Sequence, residues 1–151
     1  MNYWLMKSEP DECSIDEVLA APGRKTAWSG VRNYQARNFM RDRMRPGDGV
    51  LFYHSSCPEP GIAGVAEVAS EAYPDASQFD RKSDYFDPKS KKDSPRWFNV
   101  DVRALRKTRL VPLHELRLHQ ALAGMRLLQP GNRLSITPVS RSEWTTIAKL
   151  L

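Results

Sequence analysis

The spacing of hydrophobic residues changes several times along the chain, and each change predicts a different element. "YWLMK" at residues 3–7 is an apolar run of strand length, and "SIDEVLAA" carries apolar positions at helical spacing behind a serine. Ser14 with Glu17 three residues later reads as a capping box, which would satisfy two orphaned amides at that helix start. After "APG" comes "NYQARNFMRDRM", a second helical pattern with Asn33 as its cap and an apolar stripe at Ala36, Phe39 and Met40. Pro46, Gly47 and Asp48 turn the chain into "GVLFYHSS" and then "GIAGVAEVASEAY", which are rich in β-branched and aromatic residues and predict two adjacent strands.

From Pro74 to Pro95 the pattern is lost in a long polar stretch, in which Phe79, Tyr85 and Phe86 are expected to be buried. Loops of that length in small domains are usually functional or disordered. "RWFNVDVRALRKTRLV" resumes as one strand alternating at Trp97, Val100 and Val102, a short helix follows near "PLHEL", and "RLSITPV" is the last strand. "SRSEWTTIAKLL" closes the chain as a helix with a second capping box, Ser140 with Glu143. The order of elements predicts an α+β fold in which a curled, barrel-like sheet has helices at its sides.

Composition sharpens this picture. A chain of 151 residues with 40% hydrophobic and 27% charged positions fits one globular domain spanning 1–151 and excludes a disordered or fibrous chain. Cys13 and Cys57 are the two cysteines, no basic start leads into an apolar run, and no segment approaches the roughly 20 apolar residues of a membrane span. A monomer working in the reducing cytoplasm is expected, without a membrane partner.

Charge changes it further. The net charge is +5, and it is uneven: residues 1–23 hold one basic and five acidic residues, while 24–45 hold seven basic and one acidic. A second basic tract runs from Arg96 to Arg133. A polyanionic partner fits two such tracts on one face.

The stretch "TAWSGVRNYQARNFM" concentrates candidate chemistry. A helix N-terminus leaves amides unpaired and carries partial positive charge, so the segment after Gly30 can receive a phosphate or a polar base edge. Arg32, Arg37 and Arg41 would add full charges as phosphate contacts, and Trp28 offers an indole face on which any base can stack. Set against this, a tryptophan is more often core than platform, and helix arginines are usually a solvated face.

Catalytic and metal signatures are weak. His54 and Cys57 stand three apart after a strand and suggest a nucleophilic pair or a metal site, but Cys13, His114 and His119 show no paired spacing with them, so no metal is expected. Ser55 and Ser56 lack the glycine-flanked elbow of a hydrolase, and "GIAGVAEV" lacks the lysine of a phosphate loop. His54 reads as a hydrogen-bonding residue at a pocket edge.

Taken in order, "YWLMKSEP", "AWSGVRNYQARNFM", "GDGVLFYHSS", "GIAGVAEV", "SDYFDPKS", "PRWFNVDV" and "RLSITPV" resemble the EVE domain family over nearly the whole chain. The resemblance implies a PUA-like fold, a small mixed β-barrel with flanking helices akin to the YTH domains that read methylated adenine in RNA. It also implies a binder with no catalytic activity and no cofactor. Carried onto this sequence, the family's pocket would use Lys7 and Ser8 at the end of the first strand, with Trp28 and Ser29 beneath the base. Asn33, Tyr34, Arg37 and Asn38 would line the next side, and Tyr53, His54 and Ser55 the strand facing them. An aromatic from a later loop, Tyr85, Phe86 or Trp97, would close over the base. Related domains fused to restriction nucleases are associated with modified cytosine in DNA, which makes modified cytosine in DNA or RNA the first expectation. Two other readings stand beside this reader: a hydrolase acting on a small nucleotide or base, and a scaffold whose basic face binds a protein.

Overall fold

In the computed structural model, which describes residues 1–151, the chain runs β1 (Tyr3–Ser8), α1 (Ile15–Ala20), β2 (Lys25–Ala27), α2 (Tyr34–Asn38), β3 (Gly49–His54), β4 (Gly61–Val68), β5 (Tyr73–Pro74), β6 (Phe98–Asn99), β7 (Asp101–Pro112), α3 (Leu113–Leu116), β8 (Ile136–Val139) and α4 (Arg141–Ala148). Six strands form one mixed sheet in the order β2-β7-β4-β3-β1-β8, and β5 with β6 makes a separate ribbon. β1 runs parallel to β3, and every other pair is antiparallel. Register shifts at Phe52/Tyr53 and along β4 against β7 bend and twist the sheet, as bulges do. The architecture is the expected α+β one, a curled sheet with helices at its sides; its edges β2 and β8 are not joined by a ladder.

The apolar runs of β1 and β3 are unbroken because the sheet is buried on both faces. Trp4, Met6, Val50 and Phe52 point into one core with α1, α2 and the turn after it, while Leu5, Leu51 and Tyr53 point into a second core with α3, α4 and the turns around Leu122 and Leu127. Each such side chain contributes roughly 1.5–3 kcal/mol on burial. α1 sits so close to β4 that a Cβ at Gly64 would fall 2.6 Å from Ile15 Cγ1. Glycine is required there by contact.

The two capping boxes differ in how completely they form. Ser140 and Glu143 complete both arms of their capping box, at 3.1 and 2.9 Å. At α1 only one arm exists: Ser14 Oγ accepts the Glu17 amide at 3.1 Å, and the Glu17 carboxylate meets that hydroxyl instead of the Ser14 amide. The second helix does not run through as one α-helix. It changes at Phe39 into a π-helical turn ending at Arg43, with the Met44 amide donating to Phe39 O, and this wider turn leaves Phe39, Met40 and Met44 all buried.

The strand expected across residues 96–111 is split. Phe98 and Asn99 pair with β5, the Trp28 amide then takes Val100 O, and β7 begins at Asp101. The polar stretch from Pro74 to Pro95 is ordered around an amide, where buried aromatics were expected. Phe79 and Phe86 are half-buried and Tyr85 is exposed, whereas Gln78 is fully buried. Gln78 Nε2 donates to Asp75 O and Trp97 O, and its Oε1 accepts from Trp97 N–H and Ser90 Oγ, so the amide is saturated. A saturated buried amide can organise a loop as firmly as an apolar cluster does.

Candidate base-binding cleft

Parallel pairing of β1 with β3 brings the C-terminal ends of both strands to one side, with Ser8 opposite His54. Ser55 extends the pairing by donating its amide to Ser8 O at 2.9 Å, and Lys7 donates its amide to Ser135 O at 2.8 Å, which draws in the segment before β8. Across from these strand ends the chain leaves β2 and turns at Trp28. Between them opens a cleft of about 750 Å³ whose walls include Lys7, Ser8, Trp28, Ser29, Ser55 and Tyr85.

Trp28 belongs to the core and to the cleft at once. It is 7% exposed, and its indole meets Phe52 edge-on at 5.5 Å and 85°. Two residues on, Gly30 has φ of +84°, and a Cβ there would lie 2.9 Å from the Tyr85 ring. Only glycine tolerates both the backbone and the contact. Tyr85 therefore rests directly on the Gly30 backbone.

A buried carboxylate fixes this corner. Asp75, 1% exposed, accepts from Gly30 N–H at 2.8 Å, from Ser77 N–H and Oγ–H at 2.9 and 2.6 Å, and from Arg32 Nη1 at 3.2 Å. Burial alone would raise its pKa, but the hydrogen bonds from Ser77 and Gly30 and the Arg32 guanidinium together hold the carboxyl below its usual range. Arg32 also donates to Tyr85 O from Nε and Nη2 at 3.1 and 2.7 Å and to Ser77 Oγ at 3.1 Å. It is a strut that carries the Tyr85 loop.

The three arginines expected at phosphates are thus differently employed. Arg32 lines the cleft but is neutralised by Asp75. Arg37 donates to Arg96 O and to Asn38 Oδ1, and Arg41 pairs with its neighbour Asp42 at 2.8 Å; both lie outside the cleft. The cations of the cleft that carry no ion pair are Lys7 and Arg133. Lys7 is half-buried, its ammonium 6.0 Å from the Tyr53 ring centre, and burial lowers its pKa. Glu9, Glu12 and Glu17 add carboxylates to the same cleft.

The structure gathers Lys7, Ser8, Trp28, Ser29, Arg32, Ser55 and Tyr85 at the cleft. The other expected site residues lie elsewhere for identifiable reasons. Asn33 spends its Oδ1 on the Ala36 amide at 3.0 Å as the cap of α2, and Asn38 receives Arg37. Tyr53 is 2% exposed because its position on β3 turns it into the second core. His54 accepts the Ile15 amide at Nε2, 3.2 Å, and burial keeps its pKa below the ordinary value. Phe86 is half-buried away from the cleft, and Trp97 is buried beneath Tyr34 with its indole N–H on Asp87. Of the three later aromatics, Tyr85 alone lines the cleft.

Residues that sequence reasoning did not assign to the site are Asp75 and Arg133, and it weighed Cys13 only as a metal ligand. Arg133 sat in plain view within the second basic tract, and "PDAS" carries the Asp-to-Ser turn signal that seats Asp75. Cys13 borders the cleft, and burial with nearby Glu17 raises its thiol pKa, away from thiolate chemistry.

Known proteins bear on this geometry. The EVE domain profile matches residues 2–150. Thymocyte nuclear protein 1 of Homo sapiens is 43% identical across 99% of this chain and 73% of its own length. A protein from Pseudomonas putida, solved by crystallography, has 46% identity and a TM-score of 0.93, with 98% of each chain covered. Human THYN1, crystallised in complex with 5-methylcytosine containing DNA, has a TM-score of 0.94 at 43% identity, covering 99% of this chain and 97% of that one. A YTH domain from Zygosaccharomyces rouxii, solved with N6-methyladenosine RNA, shares the fold at a TM-score of 0.57 and 17% identity, over 99% of this chain and 85% of its own.

Proposed function

The chain belongs to the EVE domain family, and on that premise we propose that it is a single-domain, non-catalytic reader which binds a modified base, 5-methylcytosine first, in the cleft beside Trp28. The observation that carries the reading is one cleft of base-holding size in which a core-anchored indole and Tyr85 occur together with strand-end donors. The relative solved with 5-methylcytosine DNA supports the choice of base. Trp28 is the floor and Tyr85 the lid. Lys7 and Ser55 face the base edge, where cytosine presents acceptors; Ser8, whose hydroxyl donates to Cys13 O, can only accept, and it or a carboxylate of the Glu9, Glu12 and Glu17 set suits the exocyclic amine. Arg133 takes a phosphate.

Two features speak for binding without turnover. His54 commits its Nε2 to a backbone amide, and the Cys13 thiol is biased toward its protonated form. Free thiols at Cys13 and Cys57 suit a reducing compartment, for which we keep the cytoplasm, and no helix is long and apolar enough to cross a membrane.

One added methyl in an apolar pocket changes affinity by about 10–200-fold at most. Titration of the full chain with matched single-stranded oligonucleotides, as DNA and as RNA, should therefore place 5-methylcytosine about 10-fold or more ahead of cytosine, with adenine and N6-methyladenine weaker. Equal affinity for cytosine and 5-methylcytosine in both sugars would discard the reading.

A further inference from the structure

Tyr34 is the first residue of α2, and nothing about that helix start asks for an aromatic, since Asn33 already supplies its cap. Its ring nevertheless lies stacked on Trp97, centroids 4.7 Å apart and planes 24° from parallel, with 52% of the residue exposed. Arg37 Cζ stands 4.7 Å from the Tyr34 centroid and 5.9 Å from that of Trp97. Indole and guanidinium therefore both lie against the Tyr34 ring. What they leave uncovered of Tyr34 is exposed to water.

The support beneath the ring is fixed. Trp97 gives its indole N–H to Asp87 at 2.8 Å and its backbone to Gln78, while Arg37 is anchored on Arg96 O at 2.8 Å. A lone exposed tyrosine would carry no meaning. A rigidly backed, half-exposed aromatic ring, beside an arginine whose donors go to neutral oxygens, is what an unpaired nucleotide uses, stacking its base and placing its phosphate near a cation. This ring also connects with the cleft, because Arg32 Cζ lies 5.2 Å from the Trp97 ring and 5.6 Å from the Tyr85 ring. Tyr85 at the cleft and Tyr34 outside it are the two ends of one cation–aromatic stack.

We propose that Tyr34 is a second stacking site, outside the cleft, for an unpaired nucleotide neighbouring the bound base on the same strand; this rests on the cleft reading given above. Such a nucleotide is free to stack on protein only where the strand is single, since a paired neighbour keeps its place in the duplex.

The probe is a short single-stranded DNA with one 5-methylcytosine and 2-aminopurine placed on its 5′ or its 3′ side. With the parent chain, one of the two placements should show fluorescence quenching on binding. Tyr34→Ala should lose that quenching and bind about 10-fold more weakly, as expected for one lost base stack, while Tyr34→Phe keeps both. 5-Methyl-2′-deoxycytidine alone, which has no neighbour, should bind parent and Tyr34→Ala equally. Unchanged quenching and affinity in Tyr34→Ala overturn the proposal, as does a parent chain that quenches neither probe. Tyr34-dependent quenching that is indifferent to the methyl group upholds the stacking site and overturns the cleft reading instead.

Discussion

Trp28 and Trp97 are almost equally buried, at 7% and 5% exposure, and each touches a second aromatic ring, yet the fold sets them in different places. Trp28 stands edge-on to Phe52 at the end of the first core and presents part of its surface to the cleft. Trp97 is tied to Asp87 and Gln78 and roofed by Tyr34, so it holds the long loop together. What separates them is the strand each adjoins: Trp28 directly follows β2 of the main sheet, and Trp97 directly precedes β6 of the separate ribbon. Burial and residue type are shared.

The largest expected effects come from cutting both indoles. Trp28→Ala and Trp97→Ala should each lose about 3–5 kcal/mol of stability in denaturant titrations, because each empties a packed position. The two phenylalanine variants sharpen the contrast: Trp28→Phe should weaken 5-methyl-2′-deoxycytidine binding by about 10-fold, whereas Trp97→Phe should leave nucleoside binding intact and lose only the Asp87 hydrogen bond. Nucleoside binding lost equally in both would erase the distinction.

Arginines divide in the same manner, with smaller effects. Arg32→Ala removes a charged partner from Asp75 and both donors from Tyr85 O, and should cost about 2 kcal/mol of stability. Arg133→Ala should melt like the parent and lower the salt slope of single-strand binding by about 0.7. If Arg32→Ala melted normally and Arg133→Ala unfolded early, strut and phosphate contact would have been assigned the wrong way round.

Sequence made the first of these contrasts hard to see and the second harder. β1, β3, β4 and the caps at Asn33 and Ser140 were readable because apolar runs and capping residues act within a few positions. β2 was missed: three residues, Lys25–Ala27, hold a strand only through their pairing with Ala27↔Asp101 and its neighbours. The fate of Arg32 depends on Asp75, 43 positions away, and that of Arg37 on a carbonyl 59 positions away. A helical stripe reports which residues face the core, and it is silent on which cation finds a partner. Asn33 and Tyr53 show the same limit at the site: a capping duty and the strand's two-residue alternation place them outside the cleft that Lys7, Ser8, Trp28, Ser29, Ser55 and Tyr85 share.

The smallest expected effects are in pH. Both Asp75 and His54 have lowered pKa values in the fold, so each contributes stability that is complete above its unfolded value and is lost as pH falls through its folded one. Melting temperature should therefore drop in two stages on acidification, the first beginning near pH 6.5 from His54 and the second near pH 4 from Asp75 together with Asp87, whose carboxyl the Trp97 indole N–H also holds low. His54→Gln, which keeps an acceptor for the Ile15 amide but does not titrate, should remove the first stage alone. A first stage that persists in that variant assigns it to another group.

The claim at the centre of this account is that a modified base sits against Trp28 and leaves Trp97 untouched. Nuclear magnetic resonance resolves the indole N–H signals of Trp4, Trp28, Trp97 and Trp144 separately, and 5-methyl-2′-deoxycytidine supplies the base without a strand. Titration with that nucleoside should move the Trp28 signal while the other three stay in place. Movement of Trp97 with Trp28 unchanged, or a titration in which no indole signal moves, would contradict it.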